Sequence, residues 1–201
     1  LISGVPGVKP SKVVILGGGM VGTNAAHMAA GVGADVTIFD KSIDRLRYLN
    51  DIFGNSAKVL YSEKVTLEEQ LCDADLVIGA VLIPGASAPK LIQKEFLSKM
   101  KKNAVLVDVA IDQGGCFETS RPTTHNDPTY VVDNIIHYCV ANMPGSVPKT
   151  ASNALNNVTG DYIMKLATHG MNALELDENL AMGLNVSNGI ITHDAVKSAL
   201  E

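Results

Sequence analysis

Short apolar runs, each closed by glycine or by a single acid, recur along the first half of the chain. Residues 12 to 16 (KVVIL) are β-branched and apolar without alternation, the pattern of a strand covered on both faces. A glycine cluster follows, then a helical stretch from Val21 to Gly31 that Gly33 is placed to end. Residues 35 to 40 (DVTIFD) read as a second strand. Ile43, Leu46, Leu49 and Phe53 recur at helical spacing and predict a helix over 43–53. The same alternation continues with strands over 57–61, 75–81 and 104–110 and helices over 66–72 and 94–100. Strands alternating with helices at this spacing predict right-handed βαβ units and a parallel sheet. Past Cys116 the rhythm changes. Residues 129–133 and 137–142 read as further strands, and PGSVPKT opens a long helix from Ala151 to about His169, a proline near a helix start being favourable. The remainder, 172–201, is helix-rich with a strand at GIIT.

The first strand, loop and helix carry the clearest chemistry. Gly17, Gly18, Gly19, Met20, Val21 and Gly22 satisfy G-x-G-x-x-G. In such a loop the first glycine (Gly17) permits the tight turn, the second (Gly19) lets backbone approach a pyrophosphate, and the third (Gly22) lets helix and strand pack closely. The helix N-terminus then offers N–H groups and a positive dipole to that anion. Asp40 ends the next strand, where a carboxylate accepts hydrogen bonds from an adenosine ribose and repels a 2′-phosphate. The order strand, glycines, helix, strand, acid therefore predicts a dinucleotide site that prefers NAD to NADP. Lys41 and Arg45 soften that preference, since either can reach a phosphate. The competing reading is a glycine-rich turn that binds nothing. The fold class expected is α/β, a Rossmann-type doubly wound parallel sheet flanked by helices, with a helical C-terminal extension. Residues 1–170 are assigned to the dinucleotide domain and 171–201 to the extension.

Ligands of open α/β sheets sit outside the carboxyl ends of the strands, where strand order reverses. That places Val81 and Leu82 along the cofactor, with Pro84 and Gly85 shaping the loop; a plain surface loop fits the local sequence equally well. The fifth strand ends in VDVAIDQGG. Asp112 falls there near the reactive nicotinamide or, equally, caps the turn before Gly114; Asp108 is harder to place and suits a polar layer. Asn142 either orients a carboxamide or braces the turn at Pro144. The five histidines have no partner at metal-binding or triad spacing, and none is assigned a catalytic role. Cys116 and Cys139 read as small buried apolar groups.

Composition narrows the partners. The net charge of −5 and the pI near 5.5 disfavour nucleic acid and anionic membrane surfaces. No apolar run approaches the ~20 residues of a membrane span. The opening LISGVPGVKPSK lacks a signal-peptide layout, and three cysteines without metal-ligand spacing suit a reducing cytoplasm.

The segments ISGVPGVKP, VILGGGMVGTNAA, VTIFDKSIDRLR, DLVIGAVLIPGASAPKLI, VLVDVAIDQGGCFETSRPTTH and YCVANMPGSVPKTAS resemble alanine dehydrogenase, from about Ser3 to the early 180s. AIDQGG with SRPTTH and CVANMP carries far more of the likeness than the glycine fingerprint. The resemblance implies an NAD-dependent oxidoreductase that converts L-alanine and water reversibly to pyruvate and ammonia. It implies that Asp40 and Arg45 face the adenosine and that Ser62 lines the adenine pocket. Val81, Asp112, Asn142 and Met143 would surround the nicotinamide, with Asp112 on the nicotinamide ribose and assisting proton movement. It also implies a homo-oligomer, a hexamer in the intact enzyme. The family's substrate domain, with its arginine, lysine and histidine, has no counterpart here, so the chain is expected to be a fragment inactive alone. The transhydrogenase NAD(H) domain, which has a similar sheet and an APKLI-like loop, is the alternative, and a non-catalytic NAD-binding module is another.

Overall fold

The computed structural model describes residues 1–82 and 88–200, without the side chain of Ala199. Among them, contacts divide the chain into two compact units, 1–143 and 144–200. The division falls after Met143, so the long helix groups with the tail rather than with the sheet, unlike the expected boundary at 170.

The first unit is built on a seven-stranded sheet. Its elements are β1 (Lys12–Leu16), α1 (Met20–Gly31), β2 (Asp35–Asp40), α2 (Ile43–Phe53), β3 (Lys58–Tyr61), α3 (Lys64–Cys72), β4 (Leu76–Gly79), β5 (Val105–Asp108), β6 (Thr129–Val132) and β7 (Ile135–Tyr138). The strand order is β3-β2-β1-β4-β5-β7-β6, parallel except for β6, which runs antiparallel to β7. Strand order thus reverses between β1 and β4, whose registered pairs run from Val13–Leu76 to Leu16–Gly79.

At its centre the sheet is covered on both faces, which is why β1, β4 and β5 read as short, nearly unbroken apolar runs. Val13, Ile15, Val36 and Ile38 pack with Ala26, Ala29, Leu49 and Phe53 of α1 and α2 on one face. Val14, Leu16, Phe39, Val77 and Leu106 pack with Leu67, Leu71, Phe96, Leu97 and Phe117 on the other. Each Val, Leu, Ile or Phe among them contributes about 1.5–3 kcal/mol on leaving water, before the entropy of ordering it. Small residues on α1 let it lie close to the sheet. Ser42 caps α2 through the Arg45 amide (3.3 Å), and the Glu63 carboxylate caps α3 through the amides of Val65 (3.2 Å) and Thr66 (3.1 Å).

Three local expectations change. Residues 94–100, expected as an α-helix, form a six-residue 3-10 helix, Lys94–Lys99, in which the Phe96 and Met100 amides reach the carbonyls three residues back, Gln93 and Leu97 (both 3.1 Å). The strand expected over 137–142 starts at Ile135 and ends at Tyr138. A two-residue turn explains the shift: Asp133 and Asn134 both take positive φ (50° and 64°), closing a tight β6–β7 hairpin. The fifth strand, expected over 104–110, runs only from Val105 to Asp108, and a 3-10 turn, Ile111–Gln113, follows.

In the second unit α4 (Pro148–His169) has proline in its first turn and buries none of its residues. It is followed by α5 (Ala173–Leu176), α6 (Glu178–Ala181), β8 (Val186–Ser187), β9 (Ile190–Ile191) and α7 (Asp194–Leu200). Asp177 caps α6 through the Asn179 and Leu180 amides (3.0 and 3.2 Å) and pairs with Lys165 of α4.

Candidate functional site

At the carboxyl ends of β1 and β4, where strand order reverses, lies a cleft of about 630 Å³. Its rim on one side is the glycine loop. Gly17 takes φ +97°, and a Cβ there would stand 2.8 Å from the Ala80 carbonyl oxygen, so the turn accepts no side chain. Gly22 sits so close to the Gly17 carbonyl oxygen that a Cβ would lie 1.8 Å from it, fixing the approach of α1 to β1. At Gly19 an added Cβ meets nothing within 4 Å among the described residues, so the backbone there faces open space. Gly19 caps α1 without a side-chain bond, and the first helical bond runs from the Thr23 amide to the Gly19 carbonyl (2.9 Å). The amides of Met20, Val21 and Gly22 therefore precede the helical ladder, pointing out of the N-terminus. This is an arrangement that takes an anion.

The loop is held at both backbone groups of one residue, Gly18. Asp40 Oδ2 accepts the Gly18 N–H (2.8 Å), and its Oδ1 accepts the Ser42 N–H (2.8 Å). The Gly18 carbonyl accepts from Arg45 Nε and from the Thr23 hydroxyl (3.0 Å), and Arg45 also lies over the Tyr48 ring at 4.8 Å. Arg45 thus braces the underside of the loop. Asp40, half-buried, is fixed in orientation while each oxygen keeps a further lone pair. The Ser62 amide donates to the Asp40 carbonyl (2.9 Å), which carries Ser62 to the same rim.

Of the expected cofactor residues, Gly17, Gly19, Met20, Val21, Asp40, Ser62, Val81 and Leu82 line the cleft. Gly22 and Arg45 stand behind that lining. Pro84 and Gly85, expected to shape the loop after β4, lie outside the described residues. Asp112 is exposed on the 3-10 turn after β5 and, among the described residues, its carboxylate accepts no capping bond from that turn. Asn142 has φ +53°, and its carbonyl meets His125 Nε2 at 3.1 Å; Met143 begins the next 3-10 turn. Neither Asp112, Asn142 nor Met143 borders the cleft itself. Lys41, weighed in the sequence as a group that can reach a phosphate, also lines the cleft, and sequence reading missed Leu16, Phe39, Ala80, Pro89 and Leu91, which complete the lining. The signal was available for three of them, because Leu16 and Phe39 are the last apolar positions of β1 and β2 and Ala80 directly follows β4, all on the carboxyl edge.

Next to β5, Asp108 is fully buried and Cys116 and Cys139 are buried thiols, as the cysteine reading expected. Burial pushes the Cys116 thiol up to about 11, and the Asp108 charge adds to the rise. Burial holds His137 below the usual imidazole value, partly offset by its bond to the Ile135 carbonyl (3.1 Å). No group of three or more His, Cys, Asp or Glu able to hold a metal ion occurs among the described residues.

Comparison with known proteins locates this arrangement. Residues 1–194 match the family model described as alanine dehydrogenase/PNT, C-terminal domain. The alanine dehydrogenase of Halomonas elongata is 56% identical over 200 residues, covering 99% of this chain and 54% of that protein. A solved L-alanine dehydrogenase superposes with a TM-score of 0.92 at 54% identity, covering all of this chain and 55% of that one. The transhydrogenase of Sinorhizobium meliloti matches 72% of this chain and 42% of its own at 27% identity, with a TM-score of 0.65. The chain spans about half the length of the alanine dehydrogenases it matches.

Proposed function

The chain belongs to the alanine dehydrogenase/PNT C-terminal domain family, and on that premise we propose that it is the NAD-binding half of an L-alanine dehydrogenase. The observation that carries the reading is Asp40, a carboxylate fixed by two backbone amides at the rim of a glycine-loop cleft. The pyrophosphate is received by the free amides at the start of α1, over the open space at Gly19. Asp40 accepts the adenosine ribose hydroxyls and repels a 2′-phosphate, and Ser62 faces the adenine. Val81 and Leu82 carry the apolar wall toward the nicotinamide, with Asp112, Asn142 and Met143 around that end.

The reaction proposed is L-alanine + NAD⁺ + H₂O ⇌ pyruvate + NH₄⁺ + NADH + H⁺. The NAD held there would supply the acceptor for the hydride leaving the substrate Cα. Asp112, exposed at the end of β5, is the group of this chain that takes up and returns a proton near the substrate. Recognition of the alanine carboxylate is assigned to the other half of the enzyme, so this chain alone is expected to form no NADH from alanine. A transhydrogenase NAD(H) domain is the weaker reading, at 27% identity against 54%. We further propose a cytoplasmic, self-associating enzyme, hexameric when intact; no helix among the described residues is long and apolar enough to cross a membrane. The exposed Leu155, Val158, Ile163 and Met164 of α4 give that self-association an apolar surface.

Titration with NADH and, in parallel, NADPH, followed by nicotinamide fluorescence, tests the reading. Saturable NADH binding with much weaker NADPH binding is expected, and Asp40→Ala should narrow the gap. Binding of neither cofactor overturns the NAD assignment. Sedimentation of the chain as a strict monomer at high concentration would sink the self-association.

A further inference from the structure

Past β5 the backbone makes a turn whose polar groups are gathered by two opposite charges. Asp108 accepts the amides of Ala110 (3.1 Å), Cys116 (2.7 Å) and Phe117 (3.4 Å), and the Ser120 hydroxyl. Lys90 Nζ donates to the carbonyls of Gly114, Gly115 (2.9 Å) and Phe117 (3.2 Å). An ammonium has three N–H donors and no more, so Lys90 is spent wholly on backbone. Gly114 and Gly115 take φ +88° and +80°, which swings their carbonyls to one side; a Cβ on Gly115 would meet the Asp108 carboxylate at 2.6 Å. Three carbonyl dipoles converging on one point repel each other unless a cation sits between them.

Lys90 belongs to the segment after β4, and that segment is stitched along the turn. Ala88 N–H donates to Gln113 O (3.0 Å), Leu91 N–H to Cys116 O (2.7 Å) and Glu118 N–H to Ile92 O (2.9 Å). Pro89 and Leu91 of the segment line the cleft, while Asp112 sits at the head of the turn. Cleft wall and acid are therefore one piece of structure, with Lys90 as its fastener.

We propose that Lys90 is a positioning residue: by holding the Gly114, Gly115 and Phe117 carbonyls it sets the turn bearing Asp112 relative to the cleft wall, and so the seat of the nicotinamide. The proposal rests on the NAD-binding reading above. Removing the charge frees the turn without touching the adenosine side, where Asp40 and Arg45 hold the glycine loop independently.

The test compares the affinities of NADH and ADP for the chain and for Lys90→Met and Lys90→Arg, with amide hydrogen exchange over residues 113–118. ADP carries the adenosine and pyrophosphate but no nicotinamide. K90M is expected to weaken NADH about tenfold, the size of one lost charge-assisted hydrogen bond. It should leave ADP unchanged and strip exchange protection from the turn, while K90R recovers most of the NADH affinity. K90M that binds NADH like the parent, or that loses NADH and ADP alike, overturns the proposal. A parent chain that binds neither ligand overturns the NAD reading instead; Lys90 is then judged by exchange, and unchanged protection in K90M overturns its role as well.

Discussion

Two turns at the carboxyl edge of the sheet, after β1 and after β5, are each pinned between a carboxylate on their amides and a cation on their carbonyls. After β1 a single residue is held, Gly18, with its N–H on Asp40 and its carbonyl on Arg45. After β5 the hold extends from Ala110 to Phe117, between Asp108 and Lys90. The difference is exposure. Asp40 is half-buried and keeps lone pairs facing the cleft, whereas Asp108 is wholly buried and engages only its own loop and Ser120. One anchor can also read a ligand. The other can only shape the ground on which a ligand sits.

The sharpest way to break the first turn is Gly22→Ala. With a Cβ placed 1.8 Å from the Gly17 carbonyl oxygen, backbone must move, so NADH binding is expected to disappear and the melting temperature to fall by several degrees. The carboxylates come next. Asp108→Ala leaves the buried Cys116 and Phe117 amides unpartnered and should cost about 2–4 kcal/mol in urea denaturation. Asp40→Ala should cost about 1 kcal/mol and act mainly on the NADH-to-NADPH ratio. Equal stability losses would erase the distinction drawn between the two anchors.

A smaller effect follows from His137, whose Nε2 meets the Thr119 hydroxyl at 2.7 Å within the second turn's support. The Ile135 carbonyl can only accept, so Nδ1 carries the proton and Nε2 accepts from Thr119. Burial lowers the folded value, with the Ile135 carbonyl and the Asp108 charge opposing and Arg121 adding to the drop. The unfolded chain therefore binds a proton first. Stability falls as pH drops below about 6.5 toward the depressed folded value, then levels off. His137→Gln should flatten that part of the pH–stability curve. A curve identical to the parent's would show that His137 does not contribute to it. The smallest effect is chemical: at pH 8, iodoacetamide should label half-buried Cys72 well before Cys116, whose thiol is pushed up to about 11.

The same contrast explains what could be read from the chain. The first turn is written within one βαβ unit, where strand, glycines, helix and acid follow each other in order, so β1, β2 and α2 fall at their expected bounds. The second turn depends on Lys90 meeting carbonyls 24 to 27 residues away, which no spacing rule announces. Asp108 and Asp112 look alike in VDVAIDQGG, and only burial separates them. Two hairpins carried unused local signals. Asp133-Asn134 and Asn188-Gly189 all take positive φ and close the β6–β7 and β8–β9 turns. Residues 94–99 have an apolar spacing compatible with α-helix, but six residues are too few for periodicity to discriminate a 3-10 turn.

The strand order has a consequence for how the chain is made. The glycine loop leaves the ribosome before its opposite wall, Ala80 to Leu82, which follows β4, and β4 pairs with β1 across about sixty residues of sequence. Until β4 has been synthesised, β1 has one partner and one bare edge. The cleft is therefore completed only once β4 and the wall after it have been made, and a nascent chain stopped before Leu76 would present an open strand edge to its neighbours.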